Sequence, residues 1–158
     1  MEKVFKDYFV SATDEQKKIQ NSIFEKIKIK EETAEKLKTI NKKIKLILFA
    51  EIYCPDCRIF IPFLARFRDE NKNIQIEVRK RSGQENEIKK EFGVDKIPTL
   101  LKQCGTEYKK IYEEFPDTLK LKMESEPAVL KGQYIHEYRV GRYNLEIEKQ
   151  LLEKIMEE

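Results

Sequence analysis

The chain has 158 residues, enough for one compact α/β domain built on a single core. Its 32 Lys and Arg against 29 Asp and Glu leave a net charge of only +3. Both signs are interspersed, as in Asp14-Glu15-Gln16-Lys17-Lys18 and Glu87-Ile88-Lys89-Lys90-Glu91, which describes a solvated surface and argues against a nucleic-acid-binding stripe.

Residues 1–10 lack an uninterrupted apolar run and a secretory cleavage pattern, so the reading is a protein of the cytoplasm with no membrane partner. The longest apolar stretch, Leu46 to Ala50 with Ile52 and Tyr53 beyond Glu51, is far too short to span a bilayer. In chain order, Thr13-Asp14-Glu15-Gln16 reads as a capping box opening a helix with Ile19, Ile23 and Ile27 on one face. A second amphipathic stretch carries Ala34, Leu37 and Ile40, so residues 1–43 form a helical N-terminal extension. Ile44 to Ala50 is apolar and β-rich, a strand buried on both faces, and Cys54-Pro55-Asp56-Cys57 follows it closely. A helix to Glu70 contains Pro62, which must kink it. Ile74 to Val78 alternates as a strand, Gln84 to Phe92 reads as a helix capped by a left-handed Gly93, and Ile97 to Leu101 begins another strand.

Residues 103–128 fit this alternation least well. Tyr108, Ile111, Tyr112 and Phe115 have helical spacing, stopped by Pro116, and Leu119, Leu121 and Met123 then alternate as a strand. The segment therefore reads as a helix-plus-strand insertion. Tyr134 to Val140 reads as a last strand entered through a Lys131-Gly132-Gln133 turn, and Asn144 as the cap of a closing helix carrying Ile147, Leu151, Leu152 and Ile155. The whole is one α/β unit over residues 1–158, with residues 44–158 as the core.

Three cysteines, two of them three residues apart, do not make a secreted disulfide framework; in a reducing compartment the spacing means redox chemistry or metal. Thiol–disulfide exchange needs an attacking thiolate and a second thiol close enough to resolve the mixed disulfide. A first cysteine at a helix N-terminus meets free N–H groups and the positive end of the dipole, which favour its thiolate. Cys54 is then the attacking sulfur and Cys57 the resolving one. Pro55 suits the first turn, where its missing N–H costs nothing, and Asp56 adds a negative charge that should raise the Cys54 pKa. A half zinc site would need two further ligands, and only Cys104 and His136 remain, at no ligand spacing; a structural or redox-dead pair also stays open.

At this point the chain resembles the thioredoxin family, from about Lys45 to Leu101 and again from Tyr134 to Ile155. The resemblance rests on the strand, the Cys54/Cys57 pair, Pro62 five residues after Cys57, and Gly93-Val94-Asp95-Lys96-Ile97-Pro98-Thr99, which looks like the family's cis-proline loop. It implies a mixed β-sheet flanked by helices, no cofactor beyond a Cys54–Cys57 disulfide, and a substrate groove formed by Tyr53, Ile97, Pro98, Thr99 and Gly141. Ile97 would pair its backbone with an extended substrate segment. The departures are a Pro-Asp dipeptide, Tyr53 in place of the usual Trp, and Leu48 in the position of the buried acid that deprotonates the resolving cysteine. Arg79 falls near that acid's usual basic partner. Glu51 is the nearest substitute for it, although a glutamate at a strand end reads first as a surface residue.

Cys104, at the far end of the strand leaving Pro98, reads as a bystander, and the insertion is expected at that end too. His136 reads as an exposed strand residue. Glu126-Pro127-Ala128 can alternatively be read as the cis-proline strand, which would move residues 99–126 to the rim of the site as a lid. Two functions follow: an enzyme reducing protein or small-molecule disulfides, recycled by a reductase or a low-molecular-weight thiol, and a redox-inactive adaptor whose groove holds a partner.

Overall fold

The computed structural model describes residues 1–158. Helices α1 (Lys6–Phe9), α2 (Asp14–Lys26) and α3 (Glu31–Lys38) precede strand β1 (Ile44–Phe49). Then come α4 (Pro55–Glu70), β2 (Ile74–Arg79), α5 (Glu85–Phe92) and the hairpin β3 (Thr99–Cys104) and β4 (Glu107–Glu113). Helix α6 (Asp117–Ser125), a 3₁₀ turn at Ala128–Leu130, α7 (Lys131–Arg139) and α8 (Asn144–Met156) complete the chain.

The sheet has the order β2-β1-β3-β4. β1 runs parallel to β2, from Ile44 opposite Ile74 to Phe49 opposite Arg79, and antiparallel to β3, with Phe49 opposite Thr99. β4 returns antiparallel to β3 and ends with Glu113 opposite Thr99. One end of the sheet therefore collects the last residue of β1, the first of β3 and the last of β4. Leu46, Leu48, Phe49, Leu100 and Leu101 in the central strands and Phe60, Ile61, Phe63, Leu64 and Phe67 of α4 are buried in one apolar core. The mixed sheet flanked by helices expected from the sequence is what forms.

The N-terminal helices are fastened to α4. Thr13 and Gln16 close the capping box of α2 in both directions. Pro62 lacks the N–H that would meet the carbonyl of Arg58 four residues earlier. That carbonyl instead accepts from the side-chain amide of the fully buried Gln20 at 3.0 Å, and Tyr8 Oη donates to Gln20 Oε1 at 2.6 Å. Arg66 lies over the Phe24 ring at 3.9 Å and donates to the carbonyls of Phe24 and Ile27 at the end of α2. Glu148 of α8 accepts from Thr33 Oγ1 at 2.6 Å and from the Lys30 N–H at 2.9 Å.

Four expectations fail from Cys104 to Asn144. Residues 108–115 are not a helix: β4 occupies Glu107–Glu113, because Gly105 at φ 65° turns the chain and lets β3 offer a complete edge. Residues 119–123 are not a strand. They lie in α6, where Leu119 is buried and Leu121 faces solvent, and Pro116 precedes that helix instead of ending one. Tyr134–Val140 is not a strand either. It forms α7, whose buried Tyr134 and Tyr138 stand four apart on one helical face, and His136 is exposed on that helix. Asn144 is the first residue of α8 and not its cap; Tyr143 holds the cap position. The insertion is thus strand-then-helices.

Candidate active site

Strand β1 ends under the core, and Cys54 caps α4 with extended backbone (φ −80°, ψ 116°). Pro55 is the first helical residue, as its missing N–H allows. The chain then turns so that the Cys57 N–H points at Cys54 Sγ, 3.3 Å away. Cys54 keeps 9% of its surface exposed and Cys57 none. Both are free thiols.

The two sulfurs differ electrostatically. The Cys54 thiol is lowered, first because Cys57 can hydrogen-bond to its sulfur and then because the Cys57 backbone N–H does; burial and Asp56 oppose this. Cys57 is raised well above an ordinary thiol, by burial first, then by its hydrogen bond to Cys54 and the charge there. Of the two, Cys54 is the one whose thiolate its surroundings favour, and Cys57 the one held as a thiol.

Beside them the Ile97–Pro98 peptide is cis, as the resemblance implied, and Pro127 does not take that place. Cys54 Sγ lies 3.9 Å from the Ile97 carbonyl oxygen. Thr99 is fully buried, and its hydroxyl donates to the Lys96 carbonyl at 2.6 Å, which fixes the loop. Gly141 is not where the resemblance put it. It follows α7, with φ 92° and a backbone on which a Cβ would sit 3.1 Å from Asn144 Nδ2. The residue against the cis-proline is Glu114 (φ 63°), whose N–H donates to the Pro98 carbonyl at 2.7 Å.

Glu51 is not a surface residue. It is 6% exposed, and its Oε2 accepts from Tyr53 Oη at 2.7 Å and from Ser82 Oγ at 2.6 Å. The carboxylate thus faces the loop after β2. Tyr53, 54% exposed, is held by this contact at the rim beside Cys54. Leu48 is fully buried between Val78 and Leu100, and Arg79 pairs with Glu77 at 2.7 Å.

Asp56 lies near Cys54 and disfavours its thiolate, as expected, but it does not act alone. Arg139 Nε sits 2.8 Å from Oδ1 and Nη2 sits 3.2 Å from Oδ2. Sequence reasoning missed Arg139, together with Tyr138 and Tyr112, whose buried hydroxyls meet at 2.9 Å. It also missed Tyr8, buried close enough to both cysteines that their charges help burial raise its phenol. Cys104 is exposed at the far end of β3, but the helices after β4 return to the redox end, since Arg139 reaches Asp56. Helix α7, read from the sequence as a last strand, thus supplies the rim with Arg139.

A family model described as thioredoxin matches residues 2–127. The chain belongs to the thioredoxin family. The match begins among the N-terminal helices, so they are part of the family's pattern here. Among solved structures, a protein of unknown function from Pseudomonas aeruginosa superimposes with a TM-score of 0.73 at 17% identity, over 94% of this chain and 88% of that one. An HIV epitope scaffold matches with a TM-score of 0.72, the same identity and the same coverage. At that identity the likeness is one of fold. No curated protein matches the chain. No helix is long and apolar enough to cross a membrane.

Proposed function

We propose that this thioredoxin-family protein is a thiol–disulfide oxidoreductase that reduces disulfides of proteins or small molecules in the cytoplasm. The supporting observation is the asymmetry of the pair: Cys54 at a helix N-terminus with its thiol lowered, Cys57 three residues on, buried and raised. In the forward reaction the Cys54 thiolate attacks one sulfur of the substrate disulfide. The S–S bond breaks, a Cys54–substrate disulfide forms, and the other substrate sulfur leaves as a thiolate that takes a proton from water. Cys57 then gives up its proton and attacks Cys54 Sγ. The second substrate sulfur is released as a thiol, so two electrons and two protons have passed to the substrate and a Cys54–Cys57 disulfide remains. A dithiol-bearing reductase or a low-molecular-weight thiol returns the protein to the dithiol.

In this reading Tyr53 and the Ile97–Pro98 turn border the substrate surface, Ile97 through its backbone carbonyl beside Cys54, while the fully buried Thr99 holds that turn from beneath. A redox-inactive adaptor is the second reading. It is favoured by one observation: Leu48 is apolar and the Glu51 carboxylate is engaged by Tyr53 and Ser82, so neither serves as an acid for the Cys57 proton. Trapping separates the two. Cys57→Ser, incubated with an oxidised protein substrate, should accumulate an adduct on Cys54 that dissolves under reductant. Cys54→Ser should accumulate none. Absence of adduct on every variant, with no NADPH-coupled disulfide reduction by the wild type, would assign the protein to the adaptor class.

A further inference from the structure

The segment between β4 and α8 leaves the sheet beside the cis-proline and returns to α4 as helix α7. Two contacts clamp that helix in place. Tyr138 is fully buried with its hydroxyl 2.9 Å from that of Tyr112 on β4, and the Phe115 ring meets the Tyr138 ring edge-on at 5.0 Å. The next residue, Arg139, leans over the N-terminus of α4 and grips both oxygens of Asp56. A planar guanidinium engaging a carboxylate through two parallel bonds is the strong, directional form of this interaction.

Asp56 is the second residue of α4, where the helix dipole favours a carboxylate. It is also 8% exposed, so its charge is poorly screened from Cys54. Unpaired, that charge would oppose a thiolate on the adjacent sulfur. The charged and titratable groups around the pair come from several elements: Asp56 and Arg58 of α4, Tyr8 of α1, Tyr112 of β4, Glu114 after it, and Tyr138 and Arg139 of α7. Arg58 donates to the Ile52 carbonyl at 3.1 Å, and Glu114 is 3.6 Å from Lys96 Nζ. Arg139 is the cation bonded to Asp56, and its guanidinium also feels the charge of Cys54.

We propose that Arg139 is a positioning residue of the thiol site: by holding Asp56 in a two-bond ion pair, it cancels the charge that opposes the Cys54 thiolate and so sets the reactivity of that cysteine. The inference deepens the redox reading and rests on it for its biological use, but its chemistry concerns one sulfur and does not need turnover. It also assigns a role to α7, which delivers to the site a charge that the local motif does not contain.

The test is the pH profile of Cys54 alkylation by iodoacetamide, in a Cys104→Ser background, for four proteins: wild type, Arg139→Met, Arg139→Lys and Asp56→Asn/Arg139→Met. In Arg139→Met the midpoint should move up by about one pH unit. At a pH below both midpoints the rate should fall about threefold, because tenfold less thiolate is partly offset by its greater nucleophilicity. Arg139→Lys should keep most of the wild-type profile, and the double variant should return toward it, since both charges are gone. An unmoved or lowered midpoint in Arg139→Met overturns the proposal. So does a double variant displaced as far as Arg139→Met, which would mean that α7 had merely been unseated. A wild type that reduces no disulfide while these profiles shift as expected would defeat the oxidoreductase reading and leave the role of Arg139 standing.

Discussion

The hydroxyls of Tyr112 and Tyr138 offer a measurement that is independent of any assumed activity. Both side chains are essentially inaccessible, and each hydroxyl has the other as its hydrogen-bond partner at 2.9 Å. The rings are separately anchored: Phe60 stacks on Tyr112 at 4.1 Å, and Phe115 meets Tyr138 at 5.0 Å. Phenylalanine therefore keeps the packing and removes only the oxygen. Tyr112→Phe or Tyr138→Phe alone orphans a buried hydroxyl and should cost about 1.5 kcal/mol. In a chain of this length that lowers Tm by about 3–6 °C. The double variant orphans nothing and should cost about 1 kcal/mol or less, so the two single effects, summing to about 3 kcal/mol, should overshoot it by about 2 kcal/mol. Equilibrium urea unfolding of the reduced proteins measures all four corners of the cycle. Additivity within about 0.5 kcal/mol, the ordinary result for independent sites, would refute the claim that this pair clamps α7 to β4.

Two further outcomes follow from the thiols. In a Cys104→Ser background, native protein treated with limiting iodoacetamide should be modified at Cys54 well before Cys57, with a midpoint below the ordinary thiol value near 8.5, and unfolding in denaturant should abolish the preference; peptide mapping reads both. The raised Cys57 thiol binds its proton more tightly folded than unfolded, so its contribution to stability is full below about pH 8.5 and is lost as pH rises toward the folded value. The stability of Cys54→Ser relative to Cys54→Ser/Cys57→Ser should thus be flat below about pH 8.5 and fall above it, by at most about 1.4 kcal/mol per pH unit, and a difference that grows with pH would contradict the burial of that thiol.

The parts of the site carried by short-range chemistry were legible in the sequence. A strand, a Cys-Pro-Asp-Cys turn, a helix carrying Pro62 and the Ile97-Pro98-Thr99 register lie within one local pattern, and the structure reproduces them. Residues 108–115 misled because Tyr108, Ile111, Tyr112 and Phe115 satisfy a helical period while the partner edge of β3, which decides the matter, cannot be seen in a periodicity. Tyr134 to Val140 carries an aromatic and β-branched composition suited to a strand, yet burial of Tyr134 and Tyr138 on α7 overrode that propensity. Glu51 read as exposed because the hydroxyl that helps bury it, on Ser82, lies 31 residues away. Arg139 is 83 residues from the Asp56 it grips, and nothing in its own neighbourhood marks it.

The amide of Gln20 makes the N-terminal helices more than the packed extension that their sequence suggested. A proline kink exposes one carbonyl in any helix that carries it. Here the Arg58 oxygen is met by a side chain from outside the sheet domain, itself fixed by Tyr8. A polypeptide beginning at residue 44 would retain every strand and both cysteines, yet it would leave that oxygen unanswered beneath the redox turn and strip the covering from one flank of α4. The sheet and its dithiol are therefore not a portable cassette. Grafting this site into another protein would mean carrying its first forty residues along as well.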